Sequence, residues 1–258
     1  MQTDRDSHIV SWIGSLGAAG ADHVMRQFEM SRSIAYQRLS SLTRDGLLEH
    51  HAVLYGRPGM YTATLAGLRW QSIAHLGVFN VRPGSFEHAW QIAHTVVELG
   101  HAMPDWEVIG ERQIRSIESE IGELFASVQV GQIGARAMLH RPDLALSSPG
   151  ALMVPVEVEL STKSASRLAA ICRGWARAPH IDAVYYLAAP GTAHAVQRAV
   201  HTTRATDRVR VLGLDDMPVL AREQHAIENQ PVEHAPTGPD SHERHYDHEI
   251  HATREAYR

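Results

Sequence analysis

The chain reads HRPDLALSSPGALMVPVEVELS over residues 140–161, and this stretch decides the fold of its larger part. Apolar and polar residues alternate twice within it, which predicts one β-strand over residues 140–146 and a second over 153–161. The Ser-Ser-Pro-Gly sequence between them is typical of a turn, so the two strands are expected to form a hairpin.

Alternation also assigns the two faces of this hairpin. Successive side chains of a strand point to opposite sides, so Glu157 and Glu159 share one face of the second strand and the valines occupy the other. Strand pairing then brings Asp143 beside Glu157. Two interpretations of the three carboxylates remain open. They form a Mg²⁺ site, or they belong to a retained scaffold whose polar face is solvated or contacts the domain formed by residues 1–82.

Further elements extend on both sides of the hairpin. Periodic apolar residues predict a helix over residues 85–100 and a strand over 106–110. After the hairpin, a helix with Cys172 on its apolar face, a buried strand, another helix and a last strand are predicted at residues 168–177, 183–188, 192–202 and 209–213. The sequence therefore predicts a mixed-sheet domain with an αβββαβ core over residues 83–221.

The first 82 residues predict a smaller domain of another kind. Three amphipathic helices precede two strands that are joined by a Gly-Arg-Pro-Gly turn, at residues 9–16, 21–28, 31–45, 47–54 and 60–64. Ser31 is placed as the N-cap of the third helix, and Gly46 as its stop. This order is typical of a winged helix-turn-helix, and the whole chain is expected to be α+β.

The third helix of this domain has two distinct faces. Ala35, Leu39 and Leu42 form an apolar face, and the opposite face is polar, which suits a helix that lies in a DNA major groove. The predicted DNA contacts on this helix are Arg32, Ser33, Tyr36, Gln37, Ser40 and Arg44. Arg57 at the tip of the wing is expected to reach a phosphate or the minor groove. The alternative is that the domain serves protein contact or dimerisation.

Net charge is informative only when it is divided by segment. The chain has 24 basic and 29 acidic residues, a balance of −5 that does not indicate nucleic-acid binding. Residues 1–82 nevertheless carry +2, and residues 83–258 carry −7. Much of the acid lies in residues 222–258, which predict a disordered, His-rich tail. Its histidines at 242, 245, 248 and 251 indicate fortuitous metal affinity rather than a built site.

Several classes of protein are excluded or disfavoured. A single cysteine, Cys172, rules out internal disulfides and Cys-rich zinc sites, and its position on an apolar helix face favours a core role. No apolar run approaches the 18 residues of a membrane helix, and Met1 to Asp6 do not resemble a signal peptide, so no membrane contact and a cytoplasmic location are expected.

The spacing of Pro142-Asp143, Glu157 and Glu159 resembles the PD-(D/E)xK nuclease superfamily over residues 85–215. The resemblance implies that Asp143 and Glu157 hold Mg²⁺, which would activate water, and that a lysine stands two residues after the glutamate. Here that position is Glu159. Lys163, the only lysine, lies about 13 Å further along an extended strand, so the chain would have to bend after Leu160 for it to take part.

The full arrangement is similar to the replication-relaxation family of plasmid and integrative-element proteins. The matching stretches are residues 45–48, 64–67, 106–107, 141–143 and 156–162. The resemblance implies a double-stranded DNA-binding protein in replication control or transcription, with a nuclease-like domain whose activity is in doubt.

These inferences give one leading hypothesis and two rivals. The leading one is a homodimeric DNA-binding protein that needs no cofactor and whose nuclease-like domain is inactive. The first rival is a Mg²⁺-dependent endonuclease that uses Asp143, Glu157, Glu159 and Lys163 and is directed to DNA by the winged helix. The second is a protein-interaction module without DNA affinity.

Overall fold

The computed structural model describes residues 2–149, 151 and 153–228 and has a mixed α+β fold. Its first part contains α1 (Asp4–Leu16), β1 (Ala18–Gly20), α2 (Ala21–Gln27), α3 (Arg32–Arg44), β2 (Leu48–His51) and β3 (Met60–Ala63). The strands form an antiparallel sheet in the order β1-β3-β2. The predicted helices and hairpin are present, and the three-residue β1 was not predicted.

The core of this part is built by the helix faces that the apolar periodicity indicates. Ala35, Leu39 and Leu42 of α3 are buried against Ile9 and Ile13 of α1. Ser31 occupies the N-cap position of α3 as predicted, but its side chain makes no capping bond and instead lies 3.2 Å from Ser33 Oγ. The opposite face of α3 is exposed to solvent.

A short helix, α4 (Leu65–Trp70), closes the small sheet through the Thr64-x-x-Gly67 motif. The Thr64 hydroxyl accepts a hydrogen bond from Gly67 N at 3.1 Å and donates one to the Gly46 carbonyl at 2.6 Å. Gly67 has no side chain, and this allows the Leu47 carbonyl to approach it closely. The motif therefore joins α4 to the segment between α3 and β2.

We expect Gly67→Ala to lower the free energy of unfolding by about 1–3 kcal/mol, because the new Cβ would collide with the Leu47 carbonyl oxygen. An alanine in an open helical position would instead stabilise by up to about 1 kcal/mol. Urea unfolding followed by circular dichroism measures the difference. Gly100→Ala in the next long helix is the control, since a Cβ there meets nothing within 4 Å. If Gly67→Ala were as stable as wild type, the close approach of the Leu47 carbonyl to residue 67 would be contradicted.

The second part is a larger mixed sheet with its helices. It contains α5 (Phe86–Ala102), β4 (Glu107–Gly110), α6 (Glu111–Ile121), β5 (Val128–Ile133), β6 (Arg136–His140), β7 (Leu144–Ser147), β8 (Val154–Glu159), α7 (Ala165–Arg177), β9 (Val184–Ala188), α8 (Pro190–Thr203), β10 (Val209–Gly213) and α9 (Met217–Glu228). The strand order is β10-β9-β8-β7-β4, parallel across β8, β9 and β10 and antiparallel across β4, β7 and β8.

Helices cover both faces of the larger sheet. Residues of α5 and α9 pack on Leu144, Val156 and Leu187, whereas α7 and α8 pack on Ala145 and Tyr186 of the other face. Both faces of β8 are therefore buried. The predicted polar face with Glu157 and Glu159 lies under α7 and α8 and is not solvated, so that part of the prediction is corrected.

Three further predictions are corrected by the structure. The αβββαβ core is interrupted by α6 and by the separate two-stranded β5-β6 ribbon. The predicted strand over 140–146 is divided, because Pro142 has no N–H to donate and the chain leaves one sheet at His140 and joins another at Leu144. The predicted tail does not begin at residue 222, since α9 continues to Glu228 and buries Gln224. The four tail histidines lie outside the described residues.

The two parts pack against each other through α5 and α6. Ala93 of α5 belongs to the core of the first part, while Leu99 belongs to the core of the larger sheet. The Arg112 guanidinium of α6 donates to the carbonyls of Gly14 at 2.5 Å and Leu76 at 2.9 Å. In the described part of the chain, no helix is long and apolar enough to cross a membrane.

Candidate functional site

The structure places the predicted recognition residues on the open surface of α3. Arg32, Ser33, Tyr36, Gln37, Ser40 and Arg44 are all exposed. The Arg32 guanidinium stacks over the Tyr36 ring, with 5.5 Å from its carbon to the ring centroid. Ile34, which was not predicted as part of this face, is 44% exposed. This surface combines hydrogen-bonding side chains, an apolar group and two arginines.

A third arginine of the helix, Arg38, has a structural role. Its guanidinium donates to Asp6 Oδ1 at 2.8 Å and ties α3 to the start of α1. Although burial opposes the change, hydrogen bonds from Thr3 and Arg38 hold the pKa of Asp6 below its usual value. This ion pair therefore adds to the apolar contacts that set the orientation of α3 relative to α1.

The tip of the β2-β3 hairpin lies beside the start of α5. Arg57 is exposed, and its guanidinium donates to Glu87 Oε2 at 2.6 Å. Both side chains remain about half exposed, at 44% and 56%. The sequence did not indicate that Glu87 is the partner of Arg57. A phosphate that approaches Arg57 would compete with the Glu87 carboxylate.

Asp143 lies next to Glu157, as the hairpin prediction requires. Leu144 pairs with Val156 in the β7-β8 ladder, and one more step of this register sets Asp143 opposite Glu157. Asp143 Oδ2 accepts from Val158 N at 2.8 Å, and Oδ1 lies 3.0 Å from His88 Nε2 on α5. The hydrogen bond with Asp143 raises the pKa of His88 above its usual value.

Glu157 is buried with a histidine as its partner. His140 Nε2 lies 2.5 Å from Glu157 Oε1, and the two side chains are 9% and 3% exposed. The ring of His140 meets the edge of Trp175 on α7, with 5.8 Å between ring centroids. Burial raises the pKa of Glu157, and the charge and hydrogen bond of His140 oppose this shift. His140 and Glu157 are therefore buried beneath α7 and largely shielded from solvent.

Asp143, Glu157 and Glu159 form the carboxylate cluster. The chain bends after β8 and returns Lys163 to this cluster. β8 ends at Glu159, whose carbonyl accepts from Ala189 N at 2.9 Å and from Thr192 Oγ1 at 2.8 Å. Lys163 Nζ forms an ion pair with Glu159 Oε2. Its charge also acts to lower the pKa values of Glu157 and His88. The distance expected for a continuing strand therefore does not apply.

Each carboxylate of the cluster thus has a basic partner of its own. Sequence reasoning found Asp143, Glu157, Glu159 and Lys163 but missed His88 and His140. His140 stands three residues before Asp143 in the stretch quoted above, so its position was a usable signal. His88 lies on a distant helix, and nothing in the sequence indicates that it reaches the sheet.

The carboxylates are also candidate metal ligands. Mg²⁺ is commonly held by one or two carboxylates together with water and phosphate oxygens, which Asp143 and Glu157 suit by chemistry. In the structure, however, their oxygens already accept from Val158 N and lie within hydrogen-bond distance of His88 and His140. Among the described residues, no group of three or more His, Cys, Asp or Glu is arranged to hold a metal ion. Asp143 and Glu157 thus suit Mg²⁺ by chemistry, and in this arrangement each lies within hydrogen-bond distance of a histidine.

Comparison with known proteins gives little further information. No family model matches the chain, and no curated protein matches it. A structure of protein VC1899 from Vibrio cholerae is similar at 12% identity over 88% of this chain and 57% of that one, with a TM-score of 0.29. An O-methyltransferase family protein from Burkholderia thailandensis is similar at 15% identity over 81% and 60%, with a TM-score of 0.19. The chain spans less than two thirds of each, and likenesses this weak carry no argument.

Proposed function

We propose that this chain is a winged helix-turn-helix protein that binds double-stranded DNA through α3 and the β2-β3 hairpin. In this proposal it acts as a homodimer. The resemblance to the replication-relaxation family implies a role in replication control or transcription of a plasmid or integrative element. The larger sheet is a nuclease-like scaffold without catalytic activity. The observation that carries the proposal is the outer face of α3, where all six predicted contact residues are exposed.

The dimensions of α3 support this role. Arg32 and Arg44 are twelve residues apart, or about 18 Å along the helix axis. Because a recognition helix lies in the major groove, arginines at the two ends of α3 are available to phosphates while Gln37 lies between them along the helix. Arg57 extends the basic surface toward the neighbouring groove.

We expect Gln37→Ala/Arg44→Ala to weaken binding to a selected duplex by about 10- to 1,000-fold, since one base contact and one phosphate contact are lost. The duplex is selected from a random pool by the wild-type chain, and affinity is measured by fluorescence anisotropy. Gln197→Ala/Arg198→Ala on α8 is the matched control, because it removes the same two exposed side chains elsewhere. Unchanged affinity after the α3 substitutions would sink the recognition-helix assignment.

A second candidate function is a metal-dependent endonuclease, and the return of Lys163 to the carboxylate cluster favours it. Its test is a supercoiled-plasmid assay with Mg²⁺ or Mn²⁺. We expect no nicking above background from wild type, because Glu159 stands where the resemblance requires a lysine. Nicking that requires the metal and is abolished by Asp143→Ala would refute the inactive scaffold and show that the chain is a metal-dependent endonuclease.

A further inference from the structure

The larger sheet ends at β10, and the outer edge of this strand is open. In the described part of the chain, β10 pairs with β9 alone. The Val184 N–H donates to the Arg208 carbonyl at 2.8 Å. In a parallel ladder every second residue directs its N–H and carbonyl to the same neighbour, so Arg208 and Arg210 face β9. The backbone groups of Val209 and Val211 therefore face away from the sheet.

The two ends of this outer edge are bonded within the chain, and its middle is not. Val209 N donates to the Ala205 carbonyl at 2.8 Å, and Gly213 N donates to Asp216 Oδ2 at 2.9 Å. Among the described residues, no hydrogen bond involves the outward N–H or carbonyl of Val211. A donor and an acceptor that face outward together are what an extended peptide pairs with when it adds a strand to a sheet.

A groove of about 600 Å³ lies along this open edge, between β10 and α8. His194, Arg198 and His201 follow one another on α8 at intervals of four and three residues, which places them on one side of the helix. All three are exposed. They line the groove together with Arg210 and Val211 of β10. A helix and an open strand edge thus form its two walls.

The lining of this groove is basic. Among the described residues that form it are two arginines and two histidines, and none is an aspartate or a glutamate. Within the same part of the chain, neither Arg198 nor Arg210 has a carboxylate partner, and the Arg210 guanidinium donates to the Thr206 carbonyl at 2.9 Å. Residues 83–258 carry a balance of −7, so the positive charge of the groove is a local feature. An occupant with acidic groups complements it.

A nucleic acid and an acidic peptide both carry negative charge, but the strand edge favours the peptide. A phosphodiester backbone has acceptor oxygens and no donor for the outward carbonyl of Val211. An extended peptide has an N–H and a carbonyl on the same side of every second residue. Its side chains alternate between two faces, so every second one is directed toward α8. The peptide therefore satisfies both the edge of β10 and the charge of Arg198.

We propose that the groove between α8 and β10 binds an acidic segment of a partner protein, which adds to the sheet as an extended strand beside Val211. Alternate Asp or Glu side chains of this segment contact Arg198 and the two histidines of α8. The proposal is independent of the proposed DNA binding, because α8 and β10 form no part of the interface on α3 and the β2-β3 hairpin.

A peptide library tests the proposal. It contains peptides of about ten residues, the upper end of common strand lengths, with Asp or Glu at alternate positions and random residues between them. The wild-type chain selects the tightest binder, whose affinity is then measured by fluorescence anisotropy. We expect Val211→Pro to weaken binding about 3- to 10-fold, because it removes the outward N–H and no bond to β9. Gln197→Ala/Arg198→Ala should have an effect of about the same size.

Two further measurements separate strand addition from simple attraction between charges. The selected peptide is made with N-methyl groups on its odd or on its even amides, which leaves its charge unchanged. One version should bind at least about 10-fold more weakly and the other nearly normally, since alternate amides face β10. The Val211 amide should also exchange its hydrogen more slowly when the unmethylated peptide is bound, as measured by NMR. Arg177→Ala on α7 is the charge-matched control and should leave peptide affinity unchanged.

Several outcomes would overturn the proposal. A library without a binder would do so, as would a binder whose affinity depends neither on the α8 and β10 substitutions nor on which amides are methylated. Displacement of the peptide by an equal concentration of single-stranded oligothymidine would assign the groove to nucleic acid instead. If Val211→Pro does not fold, the α8 variant and the methylated peptides still decide the result. Duplex binding is measured separately, so failure of either proposal leaves the other standing.

Discussion

His140→Ala is expected to lower the free energy of unfolding at neutral pH by about 3–5 kcal/mol, because it leaves the Glu157 carboxylate buried without its partner. The two side chains are 9% and 3% exposed, so Glu157 has little contact with solvent that could stabilise its charge. Marginal stability of 5–15 kcal/mol is typical of proteins, so this single change is expected to bring the chain close to unfolding.

The same variant has a pH dependence whose sign follows from Glu157. Burial raises the pKa of this carboxyl, and removal of His140 takes away the group that most opposes the shift. A folded-state pKa above the unfolded value means that the folded chain binds more protons, so stability falls as pH rises through that pKa. The destabilisation by His140→Ala is therefore smaller at mildly acidic pH than at neutral pH.

Urea unfolding at the two pH values measures both effects. His140→Ala/Glu157→Gln is expected to recover much of the loss, because the uncompensated charge is removed. His180→Ala is the matched control, since His180 binds a backbone carbonyl of Ser127 and no carboxylate. A loss that is independent of pH and is not rescued by Glu157→Gln would show that His140 matters only for packing against Trp175.

The first part of the fold was predictable because its signals are local. The buried face of α3 follows from a 3.6-residue period, and the β2-β3 hairpin follows from turn residues between two short strands. The second part was predictable where strands alternate or are wholly apolar, as in β8, β9 and β10. The ribbon β5-β6 was missed because most of its residues are partly or fully exposed and mark no apolar face.

The sequence contains a helical signal for α6, which the predicted order of elements lacks. Ile114, Ile117 and Ile121 follow one another at helical spacing and pack against the core under the sheet. The helix also carries Glu118, whose carboxylate accepts hydrogen bonds from the backbone N–H groups of the following loop, including Ser127 N at 2.8 Å. A buried acid that holds a loop cannot be recognised before the loop's path is known.

Tertiary contacts decided the parts of the candidate site that sequence reasoning left open. The prediction that Asp143 adjoins Glu157 depended only on alternation and on one turn, and the β7-β8 register agrees with it. The position of Lys163 depended on where β8 ends. That point is set by Ala189 and Thr192, which bind the Glu159 carbonyl from a segment thirty residues later in the chain. No local pattern contains this information.

The largest expected effect on the salt dependence of DNA binding belongs to the three arginines at the edges of the proposed interface. Arg32 and Arg44 are the first and last residues of α3, and Arg57 lies at the tip of the β2-β3 hairpin. Each phosphate contact contributes about 0.9 to the slope of log affinity against log salt, so Arg32→Gln/Arg44→Gln/Arg57→Gln should reduce that slope by about 2.7. At low salt the variant should bind about 100-fold more weakly, at roughly 1 kcal/mol for each contact.

Salt titrations by fluorescence anisotropy measure the slope directly. For a fourfold rise in salt, wild-type affinity should fall about 40-fold more than that of the variant, because four raised to the power 2.7 is about 40. The triple variant Arg173→Gln/Arg177→Gln/Arg198→Gln changes net charge equally on the exposed surfaces of α7 and α8 and should keep the wild-type slope. Equal slopes for the two triple variants would assign the salt dependence to overall charge and would remove the arginines of α3 and the wing from the interface.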